Sequence, residues 1–264
     1  MCKIKQLGLV FVSLMFTLVL AACSSSTDNE ESETSEASGT ITVSAAASLT
    51  DALQEVAALY NEENKDVQVD FNFGGSGALQ QQISQGAPAD MFFSASQSDF
   101  DTLVEGDFID ESDSTQLLKN ELVLVVPEGD TTVTSFDDIT EAKQIAVGTP
   151  ESVPAGEYAM ETFESMGITE DLEERLVYAE DVRAVLTYVE RGEVSAGLVY
   201  RTDAMTSDSV DIIDAAPADA HDPIEYPVGL IEDSENTEAA RSFYDFIQND
   251  EALEVFGEYG FVTE

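Results

Sequence analysis

The sequence of 264 residues predicts an α/β fold in which mainly parallel β-sheets are covered by helices on both faces. Two observations lead to this prediction. Short apolar or alternating runs, typical of strands, take turns with stretches whose apolar residues recur at helical spacing. A second series of the same kind begins at residue 145, so the chain is expected to build more than one layer of strands and helices.

The first series of predicted elements begins at Thr40. Apolar residues from Leu49 to Tyr60 recur at helical spacing, and those from Val67 to Phe73 alternate at period two, as in a strand with one buried face. The predicted elements are a strand at 41–43, a helix at 49–60, a strand at 67–73, a helix containing Leu79 and Ile83, and strands at 90–93 and 122–126.

The second series begins with the apolar run Ile145-Ala146-Val147. A last helix is predicted after Asn236, a residue type that favours the N-cap position. The predicted elements are a strand at 145–147, helices near 155–166 and 182–191, a strand at 196–200 and the helix after Asn236.

The amino terminus has the pattern of a secretory signal peptide. A short basic stretch precedes an almost uninterrupted apolar run, 7–20, and Ala21-Ala22-Cys23 follows. The run is shorter than the ~20 residues that span a bilayer as a helix. The ending resembles the lipobox of bacterial lipoproteins, which implies removal of residues 1–22 and a lipid on Cys23. An ordinary signal peptide with an incidental cysteine is the alternative.

Residues 23–39 are predicted to form a lipidated, acidic and disordered tether. Between Ser24 and Gly39 the chain is rich in Ser, Thr and Glu and contains a single apolar residue, Ala37, too little apolar area to offset the entropy of ordering. Cys2 and Cys23 are the only cysteines in the sequence. The folded part therefore excludes a disulfide framework, a Cys-ligated zinc and a Cys nucleophile.

The composition is strongly acidic, with 54 Asp and Glu against 10 Lys and Arg and a net charge of −44. Removal of residues 1–22 deletes two lysines and no acids, which gives −44 − 2 = −46. This potential excludes nucleic acid as a partner. The hydrophobic fraction of 43% indicates a folded chain with an acidic surface, as in proteins of salt-loving organisms, and favours a saline or alkaline habitat.

Four junctions place small residues or a flexible turn where a helix begins. The amino terminus of a helix exposes unpaired N–H groups and partial positive charge, so it can hold an anion without Lys or Arg. Small residues allow close approach to the backbone, and serine adds a hydroxyl donor. Each junction alone is more often a simple cap. The junctions are 45–50, 74–77, 152–156 and 179–183.

Together these segments resemble the periplasmic molybdate-binding proteins of ABC importers. The resemblance extends from about Thr40 to the end of the chain. The motifs that carry it, in order, are Ala-Ala-Ala-Ser-Leu-Thr at 45–50, Gly-Ala-Pro-Ala-Asp at 86–90, Val-Pro-Ala-Gly at 153–156, Ala-Glu-Asp-Val-Arg at 179–183, Tyr-Pro-Val at 226–228 and Tyr-Gly-Phe at 259–261.

The resemblance implies five ligand-binding residues. Ser48 and Ser76 would each give a hydroxyl and a backbone N–H, Ala155 and Val182 a backbone N–H, and Tyr200 its hydroxyl. The sequence departs from the family at 74–77, where Gly-Gly-Ser-Gly replaces a serine-rich run. No cofactor, catalytic residue or cation site is implied, only a metal oxyanion, molybdate or tungstate.

The same resemblance implies a two-lobed periplasmic binding protein fold with two crossing strands. Lobe one would combine residues 40–120 with 229–264, and lobe two would be 121–228. The implied partners are the oxyanion, the permease and ATPase subunits of an ABC importer and, through Cys23, the outer face of the cytoplasmic membrane. The protein would act as a monomer.

Other functions fit the residues less well. A binding protein for sulfate or phosphate is the first alternative, and a secreted hydrolase with Ser76 as nucleophile and His221 as base is a remote one, because the G-x-S-x-G elbow lacks its last glycine. A dinucleotide-binding enzyme would need a third glycine after Gly77. Arg183 is expected at the surface or between lobes, and His221 in an exposed turn.

Overall fold

The computed structural model describes residues 37–263. The signal peptide, Cys23 and all but the last residues of the predicted tether lie outside the described residues, so these interpretations stay predictions. Among the residues described, no helix combines the length and apolar character needed to cross a membrane.

Strands and helices alternate along most of this range. In chain order the strands are β1 (Gly39–Ala46), β2 (Val67–Gly74), β3 (Met91–Phe93), β4 (Ser114–Lys119), β5 (Leu122–Pro127), β6 (Ile145–Gly148), β7 (Leu176–Ala179), β8 (Ala196–Tyr200), β9 (Val210–Ala215), β10 (Glu225–Leu230) and β11 (Val262–Thr263). The helices are α1 (Thr50–Glu63), α2 (Ser76–Ser84), α3 (Gln97–Glu105), α4 (Pro154–Met166), α5 (Thr169–Leu172), α6 (Val182–Glu190), α7 (Arg201–Ala204), α8 (Thr237–Phe246) and α9 (Asp250–Glu258).

The first sheet has the strand order β11-β4-β10-β3-β1-β2. Strand β1 lies parallel to β2 and β3, with Val43 opposite both Phe71 and Met91. Strand β10 is antiparallel to β3 and β4, and β11 is antiparallel to β4. The parallel part of this sheet therefore comes from β1, α1, β2, α2 and β3, in which helices supply the crossovers that parallel strands need.

The second sheet has the strand order β7-β6-β8-β5-β9. Strand β6 is parallel to β7 and β8, whereas β5 is antiparallel to β8 and β9. Strand β5 is buried from Leu122 to Val126, as expected for a strand with neighbours on both sides and helices on its faces.

Both sheets are mixed, which corrects the mainly parallel sheets expected from the alternation of strands and helices. The chain passes between the sheets twice, from β4 to β5 and from β9 to β10. Strand β5 is antiparallel to β8, and β10 is antiparallel to β3. Strand β10 belongs wholly to the first sheet. The expected boundary between 228 and 229 therefore falls inside a strand, whereas the boundary between 120 and 121 falls in the short link from β4 to β5.

The carboxyl-terminal part differs from the expectation in two ways. The helix after Asn236 is not the last element, because α9 and β11 follow it. Asn236 stands at the N-cap position of α8, but its side chain does not cap the helix. The Asn236 amide instead donates to Asp90 Oδ1 at 3.3 Å, and Asp90 Oδ2 accepts from the backbone N–H of Thr42 at 2.7 Å. The side chain thus joins α8 to the first sheet.

Candidate functional site

All five residues expected to bind a ligand line one cavity. Ser48, Ser76, Ala155, Val182 and Tyr200 share it with neighbours from the same loops. These additional lining residues are Ala46, Ala47, Gly74, Gly75, Ala95, Val153 and Pro154.

The topology explains why residues so far apart in sequence meet. Ser48 follows β1, Ser76 follows β2, and each of the other three stands at or just after the carboxyl end of β6, β7 or β8. Parallel strands bring their carboxyl ends to one edge of a sheet, where the loops of an open α/β sheet form a crevice. The first sheet supplies Ser48 and Ser76, and the second supplies Ala155, Val182 and Tyr200.

The cavity is small, with a volume of about 10 Å³, close to the space that one water molecule needs. A groove of about 820 Å³ lies next to it and shares Ala47 as a lining residue. The groove is open and is lined by four carboxylates and one guanidinium, those of Asp51, Asp181, Glu190, Glu258 and Arg183. Carboxylates repel an anion, so the small cavity between the five residues is the better candidate for an anion site despite its size.

Tyr200 provides the clearest sign of a ligand site. Its side chain is 1% exposed, and its hydroxyl has no hydrogen-bond partner among the described residues. A buried polar group without a partner costs about 1–3 kcal/mol. Burial raises the pKa of Tyr200 well above its ordinary value, so the hydroxyl keeps its proton and can only be satisfied by an acceptor or a polar ligand.

The two serine hydroxyls are buried and each already has one protein partner. Ser76 Oγ accepts a hydrogen bond from the backbone N–H of Ala95 at 2.9 Å. Ser48 Oγ lies 2.9 Å from the hydroxyl of Tyr226, whose ring packs edge-on against Tyr200. Because Ser76 Oγ accepts from an amide, its own proton remains available to a ligand in the cavity.

Three helices begin at the same cavity. The first N–H groups of a helix have no acceptor within it. Ser76 opens α2, and Val182 opens α6, where the Asp181 side chain accepts instead from the N–H of Ala184 at 2.8 Å. In α4 the first residue is Pro154, which has no N–H, so Ala155 is the first residue that can donate.

The glycines of these loops allow two backbones to approach each other closely. A Cβ atom on Gly75 would lie 2.5 Å from the carbonyl oxygen of Ser152, and one on Gly77 would lie 3.0 Å from Ser152 Cα. The N–H of Ala78 donates to the same carbonyl at 3.3 Å. The sequence pattern suggested that small residues here admit an anion. The contacts show that Gly75 and Gly77 admit the opposing loop.

Arg183 and His221 do not line the cavity. Arg183 forms ion pairs with Asp51 and Asp203, which join elements next to the two sheets and agree with an interdomain position. His221 is half-buried instead of exposed, because its ring packs against Tyr158 with centroids 5.6 Å apart. Neither residue can therefore act on a group held between Ser48 and Tyr200.

The sequence interpretation missed Ala95, Tyr226 and Asn120. Ala95 follows β3, a further parallel strand that ends at the same edge, and its small neighbours Ser94 and Ser96 were the available signal. Tyr226 belongs to the Tyr-Pro-Val motif at 226–228, for which the sequence indicates no role. Asn120 stands in the two-residue link between β4 and β5, where no periodic pattern marks it.

Residues 41–262 match the family described as bacterial extracellular solute-binding proteins. The chain belongs to this family. The family description places this solute-binding protein outside the cytoplasm. The predicted α/β fold is confirmed by the two sheets with their flanking helices and by the solved structures that share them.

Relatives of this solute-binding protein are named for substrate binding in ABC transport and for molybdate binding. It is 47% identical to the "Putative ABC transporter substrate-binding lipoprotein YvgL" of Bacillus subtilis, over 98% of this chain and 99% of that protein. It is 41% identical to the "Molybdate-binding protein ModA" of Escherichia coli, over 86% of this chain and 90% of that protein.

Solved structures agree with the fold. The "substrate binding domain of putative molybdenum ABC transporter from Clostridium difficile" is 37% identical, with a TM-score of 0.66 over 85% of this solute-binding protein and 99% of that chain. The periplasmic molybdate-binding protein of Azotobacter vinelandii has a TM-score of 0.76 over 85% and 99% of the two chains. At 20% identity, the second likeness supports the fold alone.

Proposed function

We propose that this solute-binding protein captures molybdate outside the cytoplasmic membrane and delivers it to the permease of an ABC importer. The observation that carries the proposal is the buried hydroxyl of Tyr200, which has no hydrogen-bond partner in the described part of the chain and lines a cavity together with Ser48, Ser76 and the starts of α4 and α6. The names of the relatives from Escherichia coli and Bacillus subtilis support the ligand and the importer.

The donors of this site suit an oxyanion without protons. Hydroxyl and backbone N–H groups can donate to every oxygen of molybdate or tungstate. Hydrogen phosphate would bring a proton that only a hydroxyl oxygen of the site could accept, and a hydroxyl that turns to accept it is lost as a donor to the anion, at a cost of about 1–3 kcal/mol. Sulfate is the alternative ligand of the same chemistry, and a sulfate-binding protein of Mycobacterium tuberculosis shares the fold, with a TM-score of 0.73 at 18% identity.

The proposed binding mechanism is closure of two lobes over the anion. Lobe one contains the first sheet, 40–120 and about 225–264, and lobe two contains the second sheet, 121 to about 224. An anion that contacts Ser48 and Ser76 on one side and Tyr200 on the other binds the closed form better than the open form. A cavity of about 10 Å³ also requires the lobes to separate before an oxyanion can enter.

We further propose that the mature protein begins with lipidated Cys23, acts as a monomer and is no enzyme. The lipobox-like ending at 21–23 and the lipoprotein relative at 47% identity support the anchor. Mass spectrometry of the membrane fraction is expected to show a lipid-modified amino terminus at Cys23. An unmodified mature terminus elsewhere would contradict the anchor without affecting the ligand site.

Calorimetric titration with molybdate, tungstate, sulfate and phosphate tests the ligand. We expect molybdate and tungstate to bind tightly, sulfate more weakly and hydrogen phosphate most weakly. Tyr200→Phe and Ser48→Ala are each expected to weaken molybdate binding by ~1.5–3 kcal/mol, since each removes one hydrogen bond to a charged group. Tyr178→Phe is the matched control, because Tyr178 is 49% exposed and outside the cavity. Absence of molybdate binding by the folded protein would refute the proposal.

Small-angle scattering tests the proposed closure. We expect a smaller radius of gyration with molybdate than without it, because an anion held by both lobes favours the closed form. An unchanged radius in a protein that binds molybdate would place the donors within one lobe or indicate a free form that is already closed.

A further inference from the structure

We propose that Asn120 and Tyr226 are positioning residues that fix Ser48 as a hydrogen-bond donor toward the bound oxyanion. They thereby make the site select against oxyanions that carry a proton. The inference rests on the proposed function and deepens it, because it assigns the selectivity of the site to residues that do not line the cavity.

A chain of three polar side chains runs from the link between the sheets to the cavity. Asn120 Nδ2 donates to Tyr226 Oη at 3.2 Å, and Tyr226 Oη lies 2.9 Å from Ser48 Oγ. Tyr226 is 0% and Ser48 is 3% exposed, so protein groups satisfy this part of the chain. We call Asn120, Tyr226 and Ser48 the relay.

The backbone fixes the direction of the first bond in the relay. Asn120 Oδ1 accepts from the backbone N–H of Glu121 at 2.9 Å, and a backbone N–H can only donate. The amide nitrogen of Asn120 must therefore be the atom that faces Tyr226. The same nitrogen donates its other proton to Thr202 Oγ1 at 2.8 Å, so both of its protons are used.

The direction of the second bond follows from the first. Tyr226 Oη accepts from Asn120, and it has a single proton of its own to donate. Among the described residues, Ser48 Oγ is the other polar partner of this hydroxyl. If Ser48 donated to Tyr226 instead, the phenolic proton would be buried without an acceptor, which is unfavourable. Burial also raises the pKa of Tyr226 well above its ordinary value, so this proton is retained.

Ser48 Oγ consequently accepts within the protein, and its own proton points to the cavity. The Ser76 hydroxyl is also free to donate to the ligand, because its Oγ accepts from the N–H of Ala95 at 2.9 Å. With Tyr200 as a further protonated hydroxyl, all three hydroxyls face the ligand as donors. Molybdate and sulfate can accept from each of them, whereas the proton of hydrogen phosphate must be accepted by a hydroxyl oxygen whose own proton already points to the ligand.

The test is a substitution that reverses the donor–acceptor direction of the hydrogen bonds in the relay. Asn120→Asp replaces the amide donor with a carboxylate that only accepts. Tyr226 would then donate to the new carboxylate, Ser48 would donate to Tyr226, and a lone pair of Ser48 would face the anion. At pH 8.5 we expect at least a tenfold loss of molybdate and sulfate affinity and a smaller loss, or a gain, for hydrogen phosphate. The ratio of molybdate to phosphate affinity should thus fall several-fold.

Tyr226→Phe separates this reversal from the effect of an added charge. Without the phenol the relay is interrupted, so Asn120→Asp can act only through its charge, which repels all dianions similarly. A double-mutant cycle therefore isolates the relay. We expect Asn120→Asp to change the affinity ratio in the parent protein and to leave it unchanged in the Tyr226→Phe background. Circular dichroism confirms that each variant is folded.

Two outcomes overturn the relay: an unchanged affinity ratio in Asn120→Asp, or an equal change in both backgrounds. The ratio is also measured for sulfate against hydrogen phosphate, two anions of similar size. If the parent protein binds sulfate and does not bind molybdate, the proposed ligand is wrong and the relay is tested on the ratio of sulfate to phosphate affinity alone.

Should Asn120→Asp not fold, Tyr226→Phe alone tests the relay. It is expected to lower both affinity ratios, because it frees Ser48 to accept from the ligand. Unchanged ratios would contradict the relay.

Discussion

Arg183 on α6 forms an ion pair with Asp51 on α1, with 2.5 Å between Nη2 and Oδ2. Each residue follows a proposed ligand donor closely, Arg183 after Val182 and Asp51 after Ser48. Arg183 Nε also lies 2.7 Å from Oδ1 of Asp203, which is fully buried, although the N–H does not point along a hydrogen bond. The Arg183 guanidinium thus contacts two carboxylates, the partly exposed one of Asp51 on α1 and the buried one of Asp203 on α7.

Replacement of Arg183 by Met should destabilise the protein by about 3 kcal/mol at pH 8, because it leaves the buried Asp203 without a cation. Asp51→Asn is expected to cost at most about 1 kcal/mol, since that pair is partly exposed. Urea unfolding followed by circular dichroism measures both values. The double variant Arg183→Met with Asp203→Asn should recover most of the loss, and purely additive effects would contradict this assignment.

The stability of the protein should depend on pH through Asp203. Burial raises the pKa of Asp203 to about 7, against the opposing effect of Arg183, while Asp181 and Asp51 raise it further. The unfolded chain releases this proton near pH 4, and the folded protein releases it only near pH 7. Between these values the unfolded state binds fewer protons, so this group makes the free energy of unfolding fall as pH rises.

Asp203→Asn removes this contribution. Relative to the parent protein, the variant should gain stability on the order of 3 kcal/mol between pH 4 and pH 8, and the gain should level off above pH 8. Urea titrations at several pH values provide the comparison. A difference between variant and parent that stays constant with pH would mean that Asp203 titrates at its ordinary value.

Gly75→Ala should weaken molybdate binding at least tenfold while the ligand-free protein stays folded. The new methyl group would lie 2.5 Å from the carbonyl of Ser152, so the loops that carry Ser76 and Ala155 must move apart. Gly257→Ala in α9 is the control, because beyond its chain neighbours and its own helix backbone no described atom lies within 4 Å of the added carbon. The control should keep its affinity and be slightly more stable. Equal affinity in Gly75→Ala and the parent would show that this close contact is absent from the bound form.

Periodicity predicted most elements that have a buried apolar face or run, although buried strand β10 is not among the predicted strands. The apolar residues of α1, β2 and α6 show their spacing because one face of each is buried. Strands β4 and β9 went unpredicted, since they carry polar or exposed residues such as Gln116 and Asp211. Their pairing with β10 and β5 is a property of the folded sheets that a local pattern does not contain.

The motifs predicted which residues meet in the cavity but not how they are held. Ser48 and Tyr226 are 178 positions apart, and Asn120 and Tyr226 are 106 apart. A hydrogen bond between such residues depends on the connection of two sheets, and no spacing along the chain encodes it. The role of Gly75 could not be predicted for the same reason, because a glycine is needed there to make room for the backbone of Ser152.

A dianion that binds here must approach a protein whose mature charge would be −44 − 2 = −46. The two arginines nearest the site in sequence are paired, Arg183 with Asp51 and Arg201 with Glu121 at 2.6 Å, so they offer little steering. Repulsion between exposed charges is screened as the Debye length falls from about 30 Å at 0.01 M to 3 Å at 1 M salt, whereas shielded donors such as Tyr200 respond little. Molybdate association should therefore accelerate with sodium chloride in stopped-flow experiments on folded protein, and affinity should rise or hold. A rate that falls steadily would reveal a positive field at the cavity mouth.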